Sequence, residues 1–217
     1  MDVLTHATEA YTSNFANDYT DGIALQTIKL VFEWLEKSVK TADTEAREKM
    51  HNASTMAGMA FANAFLGMSH SMAHKIGGVH HTVHGRTNAI LLPYVIRYNG
   101  TRPSKTTTWP KYNYWKADEK FQDIARMLGL PHSTPEEAVE AYAKAVYELG
   151  VAVGIKMNFK DQGIDEKAWK DSLHEIALLA YEDQCSPANP RLPMVADMEE
   201  IMADAYYGYA ERPGRRK

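Results

Sequence analysis

The 217-residue chain has one cysteine, Cys185, so an internal disulfide is excluded and a reducing, cytoplasmic setting is expected. Apolar runs such as Ala89 to Val95 fall far short of the ~20 residues that a bilayer-spanning helix needs. The N-terminus lacks the basic and apolar stretches of a signal peptide. Positive charge is not in excess: 24 Lys and Arg stand against 28 Asp and Glu, a net charge of -4, with the basic residues scattered. Neither nucleic acid nor a membrane is therefore expected as a partner. Also missing are strand-like alternation of useful length, a repeat period and an internal linker. No G-x-G-x-x-G turn opens a helix after a strand, so a dinucleotide cradle is not expected in these residues. With 45% hydrophobic residues to fill a core, the expectation is an all-α fold, a single helical domain over residues 1–208. The basic tail, 209–217, is expected to be disordered.

Histidine is what the chain has in abundance. Five of its nine histidines lie between His70 and His84. Neutral imidazole is a good ligand for mid-row divalent metals, so metal binding is the first candidate. His70 and His74 are four apart and share one helix face. The Gly77-Gly78 pair is expected to weaken the helix and turn the chain, so that His80, His81 and His84 come back on a loop and three or four rings converge. Ser71 stands where an H-E-x-x-H zinc protease carries its glutamate base, so that chemistry is excluded. Asp2 and His6 are also four apart on a predicted helix with Leu4, Ala7 and Tyr11 at core spacing. Taken alone, the pair reads either as half of a metal site or as an acid favouring the helix dipole beside a part-buried imidazole.

Helices are predicted over 18–40, from Asp43 through Phe65, over 85–100 with Pro93 at a kink or a start, and then over 118–128, 134–153, 165–183 and 195–207. The broad apolar face of the second helix, with Ile23, Leu25, Ile28, Leu30, Val31, Trp34 and Leu35, predicts packing on two sides. The small-residue segment from Met56 to Phe65 is expected to be central and buried, with Gly58, Ala60, Ala62 and Ala64 allowing close helix approach. Met56, Met59, Met68 and Met72 are expected as core filler. Trp109, Tyr112, Tyr114 and Trp115 are expected as anchors of a polar loop.

Several segments resemble one family. Asp2-x-x-x-His6 with Glu9-Ala10-Tyr11, Gly67-x-x-His70-x-x-x-His74-x-x-Gly77, His84-Gly85 and Asn88-Ala-Ile-Leu-Leu-Pro93 are similar to the metal-binding domain of the iron-dependent alcohol dehydrogenases. The likeness is closest to the alcohol dehydrogenase half of the bifunctional acetaldehyde/alcohol dehydrogenases, and Glu182-Asp-Gln-Cys185, Ala188-Asn-Pro-Arg-Leu-Pro193 and Ala205-Tyr-Tyr-Gly208 extend it over nearly the whole chain. The resemblance implies Asp2, His6, His70 and His84 as metal ligands, and His74 beside the metal near the nicotinamide as a catalytic, cofactor-contacting residue. On ligand type alone Fe(II) or Zn(II) fits; the resemblance favours iron. It further implies NAD-linked interconversion of a small aldehyde, such as acetaldehyde, and a primary alcohol, a homo-oligomer, and a missing N-terminal α/β nucleotide-binding domain without which the chain is expected to be inactive. Two positions depart from the family pattern: Val83 replaces a frequent proline, and His80 replaces a usual aromatic. His80 or His81 in place of His84 is the remaining ligand alternative. The rival reading is a non-catalytic helical metal-binding or assembly module.

Overall fold

The hydrophobic spacing resolves into nine α-helices among the residues that the computed structural model describes, 1–103 and 115–208. They are α1 (Asp2–Thr12), α2 (Asp18–Thr41), α3 (Thr44–Ala64), α4 (Met68–His80), α5 (His84–Gly100), α6 (Ala117–Met127), α7 (Pro135–Ala152), α8 (Glu166–Tyr181) and α9 (Val195–Tyr207). No strand occurs among the described residues, and no helix there is long and apolar enough to cross a membrane. Trp109, Tyr112, Tyr114 and the tail 209–217 lie outside the described residues.

Local chemistry sets most boundaries. Asn17 accepts the Tyr19 and Thr20 N–H groups while Thr20 Oγ1 accepts the Asn17 N–H, a reciprocal cap at the start of α2. Asp43, Thr134 and Asp165 cap α3, α7 and α8 through their side chains. Trp115 donates from Nε1 to the Asn99 carbonyl at 3.2 Å.

Packing divides into two cores with α5 between them. Leu4, Ala7, Tyr11, Ile28, Val31, Phe121, Tyr142 and Val146 form one, joined by Leu92 and Ile96 of α5. Met68, Met72, Ile76, Trp169, Ile176, Met198 and Met202 form the other, joined by Ile90, Leu91, Tyr94 and Val95 of the same helix. α5 is thus buried on all sides over 87–96, which explains its unbroken apolar run; burying each Leu or Ile there is worth about 1.5–3 kcal/mol before entropy is counted. Pro93 sits inside this helix.

Three expectations are corrected. α3 is peripheral rather than central: it buries a single stripe, Ala46, Ala53, Ala57, Ala60 and Ala64, and leaves Met59 and Phe65 more than half exposed. Gly58 has open space where a side chain would go, and Ala62 is exposed, so close approach uses only Ala60 and Ala64. The Gly77-Gly78 pair does not break α4, which runs on to His80 and ends at His81 in the left-handed conformation (φ 53°, ψ 36°). His84 is the first residue of α5 rather than part of a loop. The two-sided packing of α2 holds, against α1 and α3.

Candidate metal centre

Three helix ends meet at one point: the first turn of α1, the first half of α4 and the first turn of α5. Asp2 and His6 project from α1, His70 from α4 and His84 from α5, and one ligand atom from each lies within 4.8 Å of the others. Asp2 is the hub. Its Oδ1 is 3.9 Å from His70 Nε2 and 3.7 Å from His84 Nε2, and its Oδ2 is 4.0 Å from His6 Nε2. A cation bonded at about 2.1 Å to each ligand would space them by about 3–4 Å, so the cluster is of the right size. His80 is not part of it. Its ring packs on Trp169 with centroids 5.3 Å apart and its Nε2 lies 3.0 Å from Ser172 Oγ, which is the work of an aromatic residue. His81, used as the helix stop, is likewise outside the group.

The surroundings of the imidazoles suit them to metal binding. His70 is buried, with its Nδ1 2.6 Å from Glu9 Oε2. That carboxylate accepts a hydrogen bond from Nδ1–H and leaves Nε2 facing Asp2, and this buried Nε2 has no hydrogen-bond partner. An orphaned ring nitrogen among a carboxylate and two further imidazoles fits a divalent cation by position and by donor chemistry. His6 stacks on both Phe61 and His70 at 4.6 Å, and burial, aided by the nearby His70, lowers its pKa to about 4. Burial also lowers that of His84. Both rings are therefore held neutral, the form that ligates.

Sequence reasoning missed the residues that hold these side chains in place. Glu9 spends both oxygens on the α4 entry, with Oε2 accepting from Gly67 N at 3.0 Å and Oε1 from Ser69 N at 2.7 Å. Ser69 Oγ donates to Asn88 Oδ1 at 3.1 Å, which turns the Asn88 amide nitrogen toward Asp2 Oδ1 at 2.9 Å and His84 Nε2 at 3.2 Å. Asn189 accepts from Met68 N and pairs with Asn99 through both amide atoms, tying the start of α4 to the end of α5. The signal was available: Glu9 is three residues from His6 and Asn88 is four from His84, each on the ligand face of its helix. Two glycines complete the assembly. A Cβ on Gly67 would lie 2.7 Å from Asn189 Oδ1 and 3.0 Å from Glu9 Oε1, and one on Gly85 would lie 3.0 Å from Asp2 Cβ.

His74 lies one turn after His70, about one-third exposed, with its ring stacked on His84 at 5.5 Å. Its Nδ1 is 3.2 Å from Asp183 Oδ2, which also receives Lys75 Nζ at 2.8 Å. Burial raises the Asp183 pKa, but Lys75, the Cys185 N–H and His74 together outweigh it and leave the carboxyl below its usual range. The buried Cys185 thiol, by contrast, is pushed up to about 12 by burial and by Asp183.

The family model of the Fe-containing alcohol dehydrogenase family, C-terminal, matches residues 1–206. An aldehyde-alcohol dehydrogenase of Streptococcus pneumoniae serotype 2 (strain D39 / NCTC 7466) is 80% identical over the full 217 residues, which make up 25% of that protein. An NADPH-dependent butanol dehydrogenase of Clostridium saccharobutylicum is 42% identical over 96% of this chain and 50% of its own length. Among solved structures, an alcohol dehydrogenase from Oenococcus oeni superposes with a TM-score of 0.83 at 33% identity, covering 95% of this chain and 50% of that one. The chain thus spans a quarter to half the length of these relatives.

Proposed function

The chain belongs to the Fe-containing alcohol dehydrogenase family, as its C-terminal part, and from that premise we propose that residues 1–208 are the metal-binding unit of an NAD-linked dehydrogenase that interconverts a small aldehyde, acetaldehyde in the simplest case, and its primary alcohol. Asp2, His6, His70 and His84 hold Fe(II), and the same donors also suit Zn(II). A divalent cation held there supplies Lewis-acid polarisation of the substrate oxygen. The observation that carries the reading is the buried, unpartnered Nε2 of His70 facing Asp2, with His6 and His84 beside it.

Reducing an aldehyde adds hydride to carbon and a proton to oxygen. These residues serve the oxygen side. His6, roofed by Phe61, and His70, held by Glu9, present ring nitrogens from fixed positions. The site is open on one side, since His84 and Asp2 are each about one-third exposed or more, as substrate entry requires and a closed structural site does not. His74, part-exposed beside His84, passes a proton to or from the alcohol oxygen. The nicotinamide belongs to a nucleotide-binding domain elsewhere in the complete protein, in keeping with relatives two to four times as long.

Metal analysis of the wild type and of His70→Ala tests the ligand set. Stoichiometric metal is expected in the first and a loss in the second, and equal metal content would sink the assignment.

A further inference from the structure

The two histidines of α4 are built alike. Each has its Nδ1 against a buried carboxylate brought by another element: Glu9 of α1 for His70, and Asp183, from the turn after α8, for His74. We propose that Asp183 is the positioning residue of His74: by accepting its Nδ1–H, it selects the tautomer in which Nε2, on the far side of the ring, carries the lone pair that exchanges a proton with the alcohol oxygen. The inference rests on the reading of His74 as the proton carrier.

Asp183 is fitted to this role because it cannot turn. Its side chain is 6% exposed. Oδ1 accepts the Cys185 N–H at 3.0 Å, and Oδ2 accepts Lys75 Nζ at 2.8 Å beside His74 Nδ1 at 3.2 Å. Lys75 follows His74 on α4, so one carboxylate oxygen receives two successive side chains of that helix. A part-exposed neutral imidazole without such an acceptor divides itself between two tautomers, only one of which offers Nε2 as a base. His74, Asp183 and Cys185 also present ligand atoms within 4.8 Å of one another. Here, however, the cation at Asp183 is the Lys75 ammonium and the Cys185 backbone N–H donates to the same carboxylate, so the trio orients His74 rather than binding a metal.

The test uses the complete, iron-loaded dehydrogenase and reads NADH consumption in a single turnover with acetaldehyde. Asp183→Asn should slow it at least about tenfold with iron content unchanged, as loss of an orienting carboxylate does. His74→Ala should slow it to a similar or greater extent, and Asp183→Asn added to His74→Ala should change nothing more. The solvent deuterium effect on the rate should grow in Asp183→Asn, because proton transfer has become the slow step. A wild-type rate in Asp183→Asn with a slow His74→Ala overturns the inference while leaving the reading of His74 intact. A further, multiplicative loss in the double variant also overturns it, by showing that Asp183 acts on packing. A wild-type rate in His74→Ala removes the reading of His74 and the inference with it.

Discussion

Glu9 sits at 3% exposure on the same helix as Leu4, Ala7 and Tyr11, and three N–H groups converge on its two oxygens. A carboxylate can accept all three, whereas a carboxamide has only one oxygen and must turn its NH2 against a donor. Glu9→Gln should therefore release the His70 ring from its tautomer and lower iron affinity by about 10–100-fold, read by chelator competition. A second expectation at this scale concerns acid. The His6 pKa is about 4 in the folded chain against about 6.5 when unfolded, so between those values the unfolded state binds the extra proton. The stability that His6 contributes is present above about pH 6.5 and is lost as pH falls toward 4. Melting temperature of the metal-free chain should drop across that window, and His6→Gln should flatten the drop; an identical slope in the variant would contradict the assignment.

At the scale of elements, the start of α4 is the narrowest point of the fold. A methyl at Gly67 would intrude on Asn189 and Glu9 together, so Gly67→Ala should cost about 1–3 kcal/mol in stability and release metal, measured by chemical unfolding and metal analysis. Here too the sequence was informative only in part. The helices themselves follow from apolar spacing and from caps such as Asn17, Asp43, Thr134 and Asp165, all visible as residue types. The path of α4 was not visible, because two glycines cost a helix only about 1 kcal/mol each, and Ile76, packed in a core, outweighs that. Nor was the exposure of α3, whose alanines read the same in a core and on a flank. The four clustered side chains were legible as paired spacings joined by a family likeness, while Glu9, Asn88 and Asp183 were legible as residues but not as partners. Their contacts span 61, 86 and 109 positions of the chain, and no local pattern carries such distances.

For the whole molecule, the chain is expected to bind iron yet turn over no NADH with acetaldehyde by itself, because nothing in it offers the phosphate-cradling glycine turn that would hold a nicotinamide against the site. Turnover near that of the complete enzyme in the same assay would place the nucleotide site within these residues. The arrangement of α5 has a different consequence. A helix that is the inner wall of both cores ties them into one cooperative unit, since neither core can open without exposing it. Its backbone N–H groups over 87–96, of which Pro93 has none, should therefore be among the last to exchange with deuterated solvent, and only through global opening. The same helix begins with His84, so iron bound at one end should raise a single calorimetric transition as a whole instead of splitting it into a metal-dependent and a metal-independent step.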